Sequence, residues 1–320
     1  MRVIAIEEHY AHPAFQTPEA LANLRRHPQL SHLQEKLEDV GAGRIADMDA
    51  AGIDLQVLSH NVPGAEAFEP EHAVANTRTV NDDLAKTVAE HPDRFAGFAA
   101  LPMRDPGAAA AELQRTVSEL GFKGAMLNGL TDGKFLDDPV FLPVLESAAG
   151  LDVPLYLHPS LPPPSVAETY YGGLDPVVAS LLGAAGWGWH AETALHLLRL
   201  IVTGVFDRFP ELQVIIGHMG EMIPFALARI DTVLTPVTSL RQPVAEYFQT
   251  NVFMTTSGYT TFPPLQCALS VIGIDRLIFS VDYPYTDNRA ARALLDTAPM
   301  SPRDKAKLAH GNVEQLLRLG

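Results

Sequence analysis

The chain is short of three things, and each shortage removes a class of protein. It has one cysteine, Cys267, in an apolar stretch with Leu265, Ala268 and Leu269, so no disulfide framework exists and a packing role is expected for that thiol. No run approaches the roughly 18 apolar residues a membrane helix needs. Positive charge is scarce: 23 Lys and Arg stand against 38 Asp and Glu, a formal net charge of -15, which argues against a phosphate-tracking nucleic-acid binder. The chain opens directly on a strand-like run with no charged leader, so a soluble cytoplasmic protein without membrane contact is expected.

What remains is ample: 320 residues, 47% of them hydrophobic, enough for one large domain spanning 1–320. Eight short apolar or β-branched runs read as strands: 3–6, 55–59, 95–101, 124–127, 154–157, 214–216, 252–255 and 277–280. Helical patterns lie between them, at 45–51, 72–91, 106–120, 140–149, 192–209, 221–234, 265–272 and 290–297. Strict alternation of this kind predicts an α/β fold, a (β/α)8 TIM barrel. Two stretches exceed a minimal barrel. A helical insertion follows the first strand (18–26, then 31–37), and a cap rich in Pro and aromatics follows the fifth (159–188, with Tyr170, Tyr171, Trp187 and Trp189).

Barrel enzymes place their chemistry at the C-terminal ends of the strands. Glu7 and His9 follow the first predicted strand, His158 closes the fifth, His218 and Glu221 follow the sixth, and Asp282 follows the eighth. Any one histidine at a strand end is ordinarily a hydrogen-bonded structural group. The coincidence of four strand ends predicts a metal site, and its imidazole and carboxylate donors suit a divalent ion such as Zn2+ or Mn2+. His218 and Glu221 stand three apart at the start of a predicted helix, on one face, and Arg229 falls two turns further along it. His60 ends the second strand and His190 adjoins the Trp-rich cap; neither is assigned as a ligand.

The motifs Glu7-Glu8-His9, Leu157-His158-Pro159, Gly217-His218-Met219-Gly220-Glu221 with Arg229-Ile230-Asp231, Thr255-Thr256-Ser257-Gly258 and Ser280-Val281-Asp282-Tyr283-Pro284 resemble the amidohydrolase superfamily. Within it they resemble the branch of nonoxidative metal-dependent decarboxylases that act on γ-resorcylate, 2,3-dihydroxybenzoate, salicylate and 5-carboxyvanillate, related to aminocarboxymuconate-semialdehyde decarboxylase. Superfamily hydrolases usually begin with His-x-His, whereas Glu7-x-His9 is the form of the o-hydroxybenzoate decarboxylases. Where binuclear hydrolases carry a bridging lysine, Asn128 stands.

The resemblance implies one divalent ion held by Glu7, His9, His158 and Asp282, with no organic cofactor. Asp282 is also the implied ring proton donor, assisted by His218 and Glu221. It implies a carboxy-lyase that protonates the ring of a hydroxylated aromatic acid before CO2 leaves. Asn128, Trp187, Arg229 and Tyr283 are the candidate substrate contacts. A hydrolase or hydratase that activates water with the same ion is the alternative activity, and a barrel that binds metal without catalysis is the third reading. Tyr283-Pro284-Tyr285-Thr286-Asp287 after the catalytic Asp, and Pro159-Ser160-Leu161-Pro162 after His158, depart from the branch and leave the acid unspecified. A homodimer or homotetramer is expected.

Overall fold

The structure is a computed structural model that describes residues 1–17 and 31–319. Eight parallel strands form it: β1 (Ile4–Tyr10), β2 (Leu55–His60), β3 (Phe95–Gly97), β4 (Ala125–Asn128), β5 (Leu155–His158), β6 (Val214–Ile216), β7 (Val252–Thr255) and β8 (Leu277–Ile278). Their ladders run β1-β2-β3 and β4 through β8. Two single bridges, Ala99 with Ala125 and Glu8 with Tyr283, join these arcs into a closed ring. Eight helices wrap it: α1 (Ala42–Ala51), α2 (Pro70–Glu90), α3 (Pro106–Leu120), α4 (Leu142–Leu151), α5 (Gly188–Val202), α6 (Ile223–Leu234), α7 (Phe262–Val271) and α8 (Asn288–Thr297). The predicted barrel is therefore the observed one.

Alternation along the strands sorts the core. Ile4, Leu55, Val57, Ala96, Met126, Tyr156, Ile215 and Ile278 fill the barrel interior, with Phe253 against them. Their neighbours Ala5, Leu58, Ala125, Leu155, Leu157, Val214, Ile216, Met254 and Leu277 face the helices. At about 1.5–3 kcal/mol for each large apolar side chain buried, these two layers dominate the stability of the ring. A C-terminal helix, α9 (Asn312–Leu317), adds Val313 and Leu317 to the interior cluster. Asn312 anchors it by donating from Nδ2 to the carbonyls of Ile274 and Leu277, both at 2.7 Å.

β1 is longer than its apolar run, and Glu7 and His9 lie inside it rather than after it. Its register against β2 shifts, Ala5 pairing with Gln56 but Glu8 with Leu58, so Ile6 and Glu7 both oppose Val57. This bulge changes the phase of the strand. Ile4 and Ile6 point inward below it; Glu7 and His9 take that side above it, while Tyr10 joins the helix-facing layer.

Other boundaries moved for local reasons. The predicted helix 192–209 ends at Val202 because Gly204 turns left-handed (φ 78°), leaving Val205–Arg208 as a separate turn. The cap after β5 is more regular than its composition suggests. It folds as two short helices, Pro164–Tyr171 and Pro176–Gly183, each with proline in its first turn, and Asp175 caps the second by accepting from Val177 N at 3.0 Å. Of the insertion after β1, Ser31–Glu38 is helical and 18–26 lies outside the described residues.

Candidate metal centre and active site

Interior-facing parity carries side chains into the barrel mouth from four strands. Asn128 follows Met126, His158 follows Tyr156, Thr255 follows Phe253, and Asp282 lies two steps beyond Ser280. β1 reaches the same mouth through its bulge. The result is a buried cluster in which His9 Nε2 is 3.3 Å from Asp282 Oδ1, His158 Nε2 is 3.6 Å from Glu7 Oε1, and His218 Nε2 is 3.7 Å from Glu7 Oε1 and 3.8 Å from Asp282 Oδ2. Donors bonded at ~2.0–2.2 Å to one tetrahedral ion stand roughly 3.3 Å apart, so these spacings fit a single ion.

The pattern of unmet hydrogen bonds points the same way. Among the described residues, Glu7 Oε1 and His9 Nε2, which face the cluster, are buried without a hydrogen-bond partner. An orphaned buried polar atom costs about 1–3 kcal/mol, and a charged one costs more. Two such atoms in one cluster call for a ligand, and a divalent cation among two carboxylates would supply it. Glu7, His9, His158 and Asp282 could hold it, and His218 faces the same carboxylates of Glu7 and Asp282.

The carboxylate of Glu7 is set for that task. Its Oε2 accepts from Tyr156 Oη and from Thr255 Oγ1 (3.3 Å), and Thr255 continues to Ser257 Oγ at 2.8 Å, which accepts from His218 N at 2.9 Å. One oxygen is therefore fixed by hydroxyls and the other is left free. Burial pushes the Glu7 carboxyl up, and the nearby His218 only partly counters it. Burial, then His9 and His218, push His158 well down, so its lone pair is available at neutral pH. Gly217 is required above Glu7: a Cβ there would lie 2.7 Å from Glu7 Oε2.

Glu8, next in sequence, faces the opposite way. Its carboxylate accepts from Ser280 Oγ (3.0 Å), Val281 N (2.9 Å), Tyr283 N (3.3 Å) and Gln56 Nε2 (3.3 Å), stitching β1 to the turn after β8. Burial raises it to about 8 in spite of these donors. Arg44, fully buried on α1, donates from Nη2 to the carbonyl of His9 at 2.5 Å. Together they fix the backbone on which His9 and Asp282 are mounted.

The turn after β6 corrects the expected helix start. His218, Met219, Gly220, Glu221 and Met222 all have positive φ (49°, 56°, 77°, 51° and 66°), and α6 begins only at Ile223. A left-handed turn, rather than an α-helical face, brings His218 Nδ1 within 2.8 Å of Glu221 Oε1. Asp282 is also left-handed (φ 73°), so strain gathers at the two turns that bear titratable groups. Burial lowers His218, but Glu221, Glu7 and Asp282 outweigh it and hold the imidazole well above its ordinary value. Burial raises Asp282, while hydrogen bonds and charge from His218 and His9 dominate and hold it strongly ionised.

The phase slip also relocates Arg229, which is exposed on α6 and does not reach Glu221. Tyr283 is not at the mouth either. Its ring lies under the Arg44 guanidinium (4.7 Å) and its hydroxyl donates to Asp47 at 2.8 Å. Asn128 lies at the mouth, paired in register with His158, its buried Oδ1 without a partner among the described residues. It lines a cleft with Phe15, Glu66, Leu101 and Met103. Trp187 sits at the N-terminus of α5, 52% exposed. His60 donates from Nδ1 to Asn61 O (2.6 Å) and accepts from His12 N at Nε2 (3.0 Å); it ties two loops together, its charge suppressed by burial.

Several residues that shape the mouth were given no role from sequence. Tyr156 and Thr255 share the interior parity of their strands, a signal that was present in the alternation. Tyr285, edge-on to His9 at 5.8 Å, and His190, against Glu221, depend on turns that sequence does not specify.

A closed parallel barrel with nitrogen and oxygen donors gathered at the C-terminal mouth defines a metal-dependent barrel enzyme. A family model described as amidohydrolase matches residues 9–319, and the chain belongs to that family. It is 39% identical over 331 residues to the γ-resorcylate decarboxylase of Polaromonas sp., covering 99% of this chain and 98% of that one. Among solved structures it is similar to a dihydroxybenzoic acid decarboxylase from Polaromonas sp. with bound manganese and the inhibitor 2-nitroresorcinol (TM-score 0.91, 37% identity, 99% and 97% of the two chains). It is also similar to 5-carboxyvanillate decarboxylase from Sphingomonas paucimobilis (TM-score 0.91, 32% identity, 100% and 99%).

Proposed function

We propose that this protein is a metal-dependent, nonoxidative decarboxylase of a hydroxylated aromatic carboxylic acid, in which Glu7, His9, His158 and Asp282 hold one Zn2+ or Mn2+ ion. The observation that carries the reading is Asp282: its carboxylate reaches both the donor cluster and His218, and its side chain, 15% exposed, is the most open of that buried group. Held by these residues, a divalent ion would supply Lewis acidity for an acidic aromatic substrate.

The remaining chemistry belongs to the chain. Loss of CO2 requires a proton at the ring carbon that bears the carboxylate. Asp282, ionised at rest, takes the proton of the ortho hydroxyl as the substrate settles, and the charge delocalises into the ring. The same carboxyl then donates that proton to the ring carbon, the C–C bond breaks, its electron pair restores the aromatic ring, and CO2 departs. The phenolate left behind recovers one proton from solvent through the mouth. His218, held by Glu221 and facing Asp282, stabilises the carboxylate form at the start and end of this cycle. Asn128, with its unpartnered oxygen, is the substrate contact best supported by position.

The test is CO2 release by the manganese- and zinc-loaded protein from 2,6- and 2,3-dihydroxybenzoate, salicylate and 5-carboxyvanillate. Asp282→Asn should lower kcat by roughly 10³-fold or more, within and above the range of a lost proton donor. Uptake of water by unsaturated diacids or hydrolysis of lactones, with no CO2 from any aromatic acid, would replace this reading by the hydratase or hydrolase one.

We also infer association into a homodimer or homotetramer in the cytoplasm. The cap supports this, since Leu161, Tyr170, Val177, Val178, Leu181 and Trp187 are each 52% exposed or more.

A further inference from the structure

His190, in the first turn of α5, lies beside the mouth and belongs neither to the donor cluster nor to the His218–Glu221 pair. Its ring packs edge-on against His218 at 4.9 Å between centroids. Nδ1 is 2.5 Å from Glu221 Oε2, and Nε2 is 3.0 Å from the carbonyl of Ala185 in the last turn of the cap. Glu221 is buried, 1% exposed, and its two oxygens are each taken by one imidazole, His218 on Oε1 and His190 on Oε2.

This trio is not a second metal site. A spacing of 2.5 Å between two of its atoms is well below the roughly 3.3 Å that two ligands of one tetrahedral ion require, and it is a hydrogen-bonding distance. Both groups facing the His190 ring, a carboxylate and a carbonyl, only accept. The geometry therefore asks for a proton on each nitrogen, with Glu221 as the anion between two donors. Burial alone would raise Glu221, and the two histidines outweigh it and keep it ionised.

We propose that His190 is a positioning residue for the proton-transfer machinery: its Nδ1–H clamps Glu221, which in turn orients His218 toward Asp282, and its second N–H latches the cap to that pair through Ala185. The inference rests on the decarboxylase reading for its kinetic consequence but not for its structural one. The cap is thereby tied to the reacting end of the barrel. Trp187 and Trp189 both donate their backbone N–H to Ala184 O at 3.2 Å, so the turn that offers the Ala185 carbonyl is itself ordered.

Two measurements on the metal-loaded protein test it. The kinetic one compares His190→Ala with His190→Asn, whose amide N–H replaces the Nδ1–H toward Glu221. The alanine variant should lose about 10- to 100-fold in kcat, the size typical of supporting groups, with KM and bound metal within twofold of the parent; the asparagine variant should recover most of that loss. Equal losses in both variants that track the folded fraction, or a change confined to KM, would overturn the proposal. The second measurement needs no substrate: 15N NMR of the histidine rings should show both His190 nitrogens protonated, with the Nδ1 proton displaced in Glu221→Gln. A His190 ring unprotonated at Nδ1 sinks the clamp whatever the enzyme acts on. Absence of CO2 release from every acid, with the NMR signature intact, rejects the decarboxylase reading and leaves the clamp standing.

Discussion

Individual residues at the mouth are held by neighbours with little room to move, and that makes small changes informative. Gly217 is the sharpest case, because a methyl group at that position meets Glu7 Oε2 at 2.7 Å, Glu7 Oε1 at 3.1 Å and Ser257 Oγ at 3.1 Å. Gly217→Ala should fold and bind manganese about 10- to 100-fold more weakly, as expected when a ligand's support is disturbed; titration calorimetry on the metal-free protein decides this, and parental affinity would remove Glu7 from the ligand set. The sequence made the donors visible, since His, Glu and Asp at the ends of apolar runs are few. Their supporting hydroxyls were harder to see. Tyr156 looks like one more apolar strand residue until its hydroxyl is found on Glu7. Arg229 and Tyr283 show the opposite error: each sits at a plausible spacing, but five consecutive positive-φ residues rotate the first away and a cation over its ring engages the second.

Between elements, buried neutral histidines serve as rivets. His196 on α5 accepts at Nε2 from Leu136 N (2.8 Å) in the segment between β4 and α4. Burial lowers its pKa from 6.5 to about 4, with Asp137 raising it and Arg199 lowering it less strongly. A histidine whose folded pKa is depressed binds its proton only after unfolding, so its stabilising contribution is full above pH 6.5 and is lost as pH falls toward 4. At pH 5 that loss is about 2 kcal/mol. In urea unfolding of the metal-free protein at pH 7 and pH 5, His196→Gln, which keeps an acceptor but cannot titrate, should show a smaller acid loss by about that amount; identical slopes would show that His196 is not neutral in the fold. The elements themselves were legible from the alternation of strand-like and helix-like runs. Boundaries were less so where one residue sets them, as Gly204 does for α5.

At the scale of the molecule, the barrel is the part the chain announces most clearly, since eight alternating pairs admit few other closures. The cap is the least legible part. Its prolines and aromatics marked a cap without fixing its secondary structure, and two of the prolines begin short helices that leave a broad apolar face outward. If that face joins two copies, Leu181→Glu, a residue 64% exposed, should shift the particle toward monomer in light scattering at micromolar concentration without loss of helical signal. An unchanged mass would place the subunit contact elsewhere.

The bulge in β1 has a bearing on how such a site can be built. Ile6 and Glu7 together oppose the single residue Val57, so the strand holds one position more than its partner, and the position gained is a carboxylate facing the donor cluster. A chain lacking Glu7 would run as a regular strand with Ile4, Ile6 and His9 still inside and Ala5, Glu8 and Tyr10 still outside. The carboxylate is thus a supernumerary residue, one that can be added or removed while every other side chain of the strand keeps its side. Two adjacent glutamates that look interchangeable in the sequence belong to different compartments of the protein: one is spare to the architecture and needed by the ion, the other closes the ring.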